Sequence, residues 1–185
     1  MRHFRLIHSG LDVGPMLAEL DAAPELWDEF TERRTAPGSP HAEMQDIWLR
    51  TRPREELQGD EAFQQPYWPA FYPAWRRLPA VHPVVHALMG MTQAVQLGNV
   101  LITRIPAGGQ IRPHIDGGWA AAWFDRKFYC CLRGGARCVN TWQGGEEVAM
   151  RPGEIFEFRN DVLHGVENHD RSERISLIVT MRVEA

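Results

Sequence analysis

"RISLIVTMRV", residues 174–183, reads as a β-strand with two unlike faces. Ile175, Leu177, Val179, Met181 and Val183 fall on one side and are all apolar, while Arg174, Ser176, Ile178, Thr180 and Arg182 make a mixed opposite side. The apolar side needs a cover, and helical segments earlier in the chain are available to supply it. The mixed side then looks the other way, which in a barrel is the lumen. A guanidinium held there keeps its charge and needs an anionic partner.

Other segments of the carboxy-terminal half share this character. "VLITRI" (100–105), "RKFYCCL" (126–132) and "EIFEFR" (154–159) are rich in β-branched or aromatic residues and are separated by glycine-containing turns. The chain before residue 94 reads differently. Between Leu11 and Arg34, apolar residues at helical spacing mix with acidic ones and two prolines, which predicts two short helices. "TAPGSPH" (35–41) predicts a mobile surface loop, "EMQDIWLR" (43–50) a strand that joins the sheet, and Pro83–Gln93 another helix. The expectation is a single domain over 1–185 of the α+β class. Its helical part, about 1–93, covers a barrel whose main strands run over about 94–185, since closure would remove exposed sheet edges.

Bulk properties narrow the function classes. At 185 residues and 44% hydrophobic content the chain suffices for one sizeable core, and a net charge of −4 without a basic run argues against a nucleic-acid grip or an anionic-membrane anchor. A small-molecule or peptide/protein substrate is the expected partner; oligomeric state is left open. No stretch approaches a secretory signal or a membrane span, so a soluble, cytoplasmic protein is expected. Cys130, Cys131 and Cys138 are an odd set. The adjacent pair points to opposite faces of a strand, so all three read as reduced, buried thiols.

The chemistry concentrates in "RPHIDGG" (112–118). Spacing H-x-D puts His114 and Asp116 on one face of a strand, where an imidazole nitrogen and a carboxylate oxygen can share one ion. His164 follows the predicted strand 153–159 and a turn containing "ND", and sheet pairing can bring it beside the first two. Two histidines and a carboxylate suit non-haem iron(II) oxygenases, and zinc hydrolases use the same ligand types. Arg174 favours the first alternative: a co-substrate that chelates iron through a 2-oxo acid and offers a distal carboxylate would meet Arg174 and the Ser176 hydroxyl, and 2-oxoglutarate has that shape.

Here the chain resembles a known family. "ITRIPAGGQIRPHIDGG" (102–118), with Gly108, Ile111 and Pro113 ahead of His114, resembles the motif of the aspartyl/asparaginyl β-hydroxylase-like 2-oxoglutarate oxygenases. "PGEIFEFRNDVLHGVENHDRSERISLIV" (152–179) resembles their second half, with His164, Asn168 and Arg174 at matching places. The resemblance implies a double-stranded β-helix (jelly-roll, cupin-like) barrel, Fe(II) on His114, Asp116 and His164, 2-oxoglutarate on Arg174 and Ser176, and O2 as oxidant. Such a hydroxylase would act on an aliphatic carbon of an amino acid, peptide side chain or small metabolite. The family's R-x-H on the following strand is matched by Arg126, an expected co-substrate contact, but Phe128 stands in place of the histidine.

Three features stand beside these. "GGWAAAWFD" (117–125) reads either as a lid, with Trp119 and Trp123 covering substrate, or as core packing. His82 and His86 share a helical spacing, but with no glutamate after His82 they read as structural or surface residues. Two competing functions use the same ligands: a non-catalytic cupin-like module that binds a metal or small acid, and a zinc or manganese hydrolase or isomerase.

Overall fold

The computed structural model describes residues 2–57 and 64–183. Among the described residues, eleven strands and five short α-helices fold as an α+β domain with two antiparallel sheets. The larger sheet has the order β1 (Phe4–His8), β9 (Ile155–Phe158), β6 (Arg126–Arg133), β11 (Arg174–Arg182), β4 (Gln96–Ile105), β2 (Gln45–Thr51) and β3 (Ala70–Phe71). The smaller runs β5 (Gln110–His114), β10 (His164–Asn168), β7 (Cys138–Trp142) and β8 (Glu146–Ala149).

Strand β11 lies in the middle of the large sheet, between β4 and β6, and its alternation works as its sequence requires. Ile175, Leu177, Val179 and Met181 are buried with Ile47, Leu49, Val100, Ile102, Phe128 and Cys130 of neighbouring strands. Met16 and Leu20 of α1 (Gly14–Asp21) and Val81, Val84, Val85 and Leu88 of α4 (Val81–Thr92) cover that face. Each such side chain contributes roughly 1.5–3 kcal/mol by leaving water. On the other face, Ile178, Tyr129 and Cys131 pack with Trp142 and Met150, and a third cluster joins Ile105 to Ile111 and Val166 of the small sheet. Cys130 and Cys131 lie in opposite clusters, and all three cysteines are free and buried. Burial pushes the Cys130 thiol up to about 12 and Cys131 to about 11, which leaves both un-ionised.

The barrel expected from the sequence does not form. Among the described residues the two sheets share no hydrogen-bonded strand pair; β1 and β3 remain edges of one, β5 and β8 of the other. The double-stranded β-helix (jelly-roll, cupin-like) barrel is therefore corrected to two open sheets with helices on the outer face of the larger one. Removal of edges was the argument for closure, and short edges serve instead: β3 is two residues long, and β8 is four residues that begin with Glu146 and Glu147.

Other expectations shift by smaller amounts. The amino-terminal part is not wholly helical, because "FRLIH" forms β1 and pairs with β9. The 11–34 stretch gives α1, a 3-10 turn at Pro24–Leu26 and the start of α2 (Glu32–Thr35). The loop after α2 is anchored, since Ser39 is buried with its hydroxyl donating to the Arg33 carbonyl at 2.8 Å, and the Arg112 N–H donates to the Pro40 carbonyl at 3.1 Å. His82 stacks on Trp75 and bonds its carbonyl oxygen, and His86 is exposed; neither joins a metal cluster. Among the described residues no helix is long and apolar enough to cross a membrane.

Candidate metal centre and pocket

Antiparallel pairing builds the centre. His114 ends β5 directly opposite His164, which begins β10. The register around this pair is held by Asn168 further along β10. Its buried Nδ2 donates to the carbonyls of Pro106 and Ser172, both at 2.9 Å, which ties the β4–β5 turn to the turn before β11. Gly108 takes φ +74° in the first of those turns, a left-handed conformation that favours glycine.

The rings of His114 and His164 lie 4.5 Å apart. His114 Nδ1 is 2.8 Å from the Arg112 carbonyl and His164 Nδ1 is 2.9 Å from the Val162 carbonyl. A carbonyl only accepts, so each Nδ1 carries a hydrogen, which leaves Nε2 as the nitrogen each ring can turn to a metal. Both Nε2 atoms turn to Asp116 Oδ1, at 3.1 and 3.8 Å. The three side chains place one ligand atom each within 4.8 Å of one another, an arrangement that resembles a two-histidine, one-carboxylate facial triad.

The electrostatics suit a cation. Burial, followed by the charge of Lys127, pushes His164 down to about 4, so it is neutral at pH 7. Burial alone would raise the Asp116 carboxyl, but Lys127, His114 and His164 outweigh it and hold the group well below the usual carboxylate range. Asp116 Oδ2 is fully engaged: it accepts from Lys127 Nζ and, at 3.1 Å, from Asn160 Nδ2. The remaining oxygen, Oδ1, is the one that faces the histidines.

Arg174 and Ser176 are both buried on the mixed face of β11. Arg174 Nε donates to Ser176 Oγ at 3.0 Å and its NH1 to Asn140 Oδ1 at 3.0 Å, with Met150 Sδ 3.7 Å from NH2. These partners are neutral. Among the described residues no carboxylate lies within 4.0 Å of a guanidinium that is 3% exposed, so its charge lacks the counter-ion a buried cation needs.

Arg126 is not brought to the centre. It shares the strand face of Phe128 and Cys130, which pack under the helices, and it pairs with Glu157, a carboxylate also held by Arg5 at 2.6 Å. The next residue along the strand faces the centre instead. Lys127 and Tyr129 face the centre, with Lys127 Nζ 5.5 Å from the Tyr129 ring and Arg174 5.8 Å from the same ring. A lysine amid the apolar run "KFYCCL" was the available signal, because a charge inside a buried strand needs a partner.

His41 was also missed. Its ring packs edge-on against His114 at 4.8 Å, and Arg33, which grips Asp46 through both carboxylate oxygens at 3.1 and 3.2 Å, reaches His41 Nε2 at 3.3 Å. Arginine only donates, so Nε2 accepts; burial, with Arg33 beside it, drives the imidazole far below its ordinary range. Its position at the end of a turn-rich loop gave no sequence signal.

Beside Asp116 opens a pocket of about 400 Å³, lined by Trp48, Leu101, Ile178 and Thr180 from the sheet, His41 from the anchored loop and Ala121 from α5 (Gly118–Trp123). Trp119 and Trp123 do not line it. They are half-buried in a continuous stack: Arg182 over Trp123 at 3.8 Å, Trp123 on Trp119 at 5.4 Å, Trp119 against Tyr67 at 5.5 Å, and Arg52 over Tyr67 at 4.2 Å.

A family model described as Aspartyl/Asparaginyl beta-hydroxylase matches residues 65–183. No curated protein matches the chain. Among solved structures, the viral collagen prolyl hydroxylase of Paramecium Bursaria Chlorella virus-1 is similar over 100% of this chain and 97% of that one, at 11% identity and a TM-score of 0.57. A prolyl-4-hydroxylase of Pseudomonas putida is similar over 100% and 95%, at 16% identity and 0.51. An oxidoreductase of the 2OG-Fe(II) oxygenase family from Burkholderia pseudomallei is similar over 75% and 67%, at 15% identity and 0.53. At these identities the likeness is one of fold alone.

Proposed function

Because the chain belongs to the aspartyl/asparaginyl β-hydroxylase family and carries a facial-triad-like cluster, it is an oxygenase, and we propose that it is an Fe(II)- and 2-oxoglutarate-dependent hydroxylase of an aliphatic carbon. The observation that carries this reading is the ligand geometry. Both imidazoles are tied through Nδ1 to backbone carbonyls and offer Nε2 toward Asp116 Oδ1, a donor set of nitrogen and oxygen that fits iron.

His114 Nε2, His164 Nε2 and Asp116 Oδ1 would hold the iron. Arg174 would take the distal carboxylate of 2-oxoglutarate, with Ser176 beside it; the buried, uncompensated guanidinium supports this, since a dianion supplies the charge it lacks. Tyr129 and Lys127 line the way between Arg174 and the triad and would flank the bound co-substrate. When bound, iron with 2-oxoglutarate and O2 supplies the oxidant that hydroxylates a C–H bond. The chain's own residues orient and exclude water: Asn160 and Lys127 fix the Asp116 carboxylate, and His41 backs the His114 ring.

The pocket beside Asp116 would seat the substrate, and its size suits an amino acid, one peptide side chain or a small metabolite. A direct test is aerobic incubation with Fe(II), 2-oxoglutarate and a panel of such compounds, with succinate and hydroxylated product measured together. A hydroxylase gives the two in equal amounts. Succinate formation that persists undiminished in His164→Ala would remove the assignment.

A further inference from the structure

The pocket beside Asp116 has a second charged end. Arg52, just past the end of β2, lines it and is 5% exposed. A row of side chains across the large sheet fixes its place relative to the metal centre. Lys127 on β6 lies opposite Thr180 on β11, whose Oγ1 accepts from the Asn99 backbone N–H of β4 at 2.7 Å. Asn99 Oδ1 accepts from the Tyr67 hydroxyl at 2.8 Å, and the Arg52 guanidinium lies over the Tyr67 ring at 4.2 Å. In the sheet order β6 and β2 stand three strand spacings apart, about 14 Å. Asp116 and its histidines therefore stand at one end of the pocket and Arg52 at the other. The floor between them is apolar, since Trp48, Leu101 and Ile178 are register partners on adjacent strands.

Arg33, Lys127 and Arg52 all line this pocket, and the first two are paired. Asp46 holds Arg33 through both oxygens, and Asp116 holds Lys127. Arg52 donates to the Gln65 carbonyl, which is neutral. Among the described residues its one carboxylate within 4.0 Å is that of Glu56, at 3.8 Å and 45% exposed. That contact is longer than a hydrogen bond and is weakened by water. A guanidinium carries five N–H donors, so most of those on Arg52 are unused. Asn99 beside it has engaged Oδ1 as an acceptor and keeps Nδ2 to donate. Together they offer hydrogens and one positive charge, which a carboxylate matches.

We propose that the substrate carries a carboxylate bound by Arg52, joined by an apolar stem several carbons long to the carbon that lies at the metal centre. The proposal rests on the reading of this pocket as the substrate's seat. It sets the orientation, anionic end to Arg52 and far end of the stem to Asp116, and so places hydroxylation away from the carboxylate. Arg174 serves a different anion, because it lies six residues from Thr180 along β11, about 20 Å.

The test is calorimetric titration with hexanoate and octanoate against their primary amides, with Mn(II) and saturating 2-oxoglutarate present so that Arg174 is occupied. The acids should bind about tenfold or more tightly than the amides. Arg52→Met, which keeps the stem and removes the charge, should erase that preference, and Arg52→Lys should restore part of it. Arg174→Met, titrated without 2-oxoglutarate, should keep it. Equal affinity for acid and amide in the wild type, no binding of either acid, or an undiminished preference in Arg52→Met would overturn the proposal. A preference lost in Arg174→Met would place the carboxylate there and overturn it too. Should Arg52→Met lose its folded circular dichroism spectrum, Arg52→Gln takes its place, and the wild-type comparison of acid with amide stands as its own test. The hydroxylase reading fails separately: an acid preference that depends on Arg52, in a protein that forms no succinate, removes the activity and leaves the carboxylate-binding pocket.

Discussion

His114, Asp116 and His164 converge because each is placed by backbone that has other reasons to be where it is. Strand pairing sets the two histidines opposite each other, and the Asp116 amide is held by the Asn160 carbonyl. Alanine at any one of the three should abolish metal binding and turnover; the melting temperature should move little for the two histidines and fall for Asp116→Ala, which leaves the buried Lys127 ammonium without its carboxylate, and a metal titration beside a thermal melt checks both. Arg174→Met, which keeps the buried stem and removes the charge, should weaken 2-oxoglutarate binding by roughly 2–5 kcal/mol and leave Mn(II) binding alone nearly unchanged, as measured by calorimetry. The metal cluster was legible because H-x-D, weak by itself, stands with His164 and Arg174 in an order that resembles the family's motifs. Lys127 and Tyr129 were not read, because the family motif drew attention to Arg126 and Phe128, one residue out of step with the face that looks at the centre.

That single-residue slip is a property of strands: a shift of one exchanges every side chain between faces. The alternation in β11 was legible, since its apolar side is unbroken and its cover was predictable, whereas β6 is apolar on both sides and hides its parity. Leu177 is fully buried on the covered face of the strand, in one cluster with the α4 side chains. Leu177→Ala should destabilise the fold by about 2–5 kcal/mol, seen as a lower denaturation midpoint with an unchanged slope. Helix α5 raises a different question, because its tryptophans stack with Tyr67, Arg52 and Arg182 rather than line the pocket. Replacing Trp119 and Trp123 together with alanine should lower the melting temperature while the ratio of succinate to product stays near one. A stable variant that consumes 2-oxoglutarate without product would instead make α5 a lid.

The arrangement of the sheets was the least legible feature. The outer helical cover and the antiparallel pattern follow from local sequence, whereas β1 was not expected, and whether two sheets close depends on which edges meet, which no short motif records. The open pair still presents one buried face with more charge than its surroundings neutralise, and this has a consequence for acid stability. His164 is held down to about 4 from 6.5, and His41 is lowered further, so between these values the unfolded chain binds protons that the folded chain refuses. Metal-free protein should therefore lose stability as pH falls from 6.5 toward 4, by about 1–3 kcal/mol per pH unit, and show no such slope above 7. Denaturant midpoints across that range check the sign.

The central claim, that this face holds iron and a 2-oxo acid together, meets its most direct test in anaerobic titration of the protein with Fe(II) and 2-oxoglutarate, followed by visible absorption. The expected result is a weak charge-transfer band that needs both additions, disappears in His164→Ala, and requires more 2-oxoglutarate in Arg174→Met. A band of equal strength in His164→Ala, or none in the wild type at saturating concentrations of both, would contradict it.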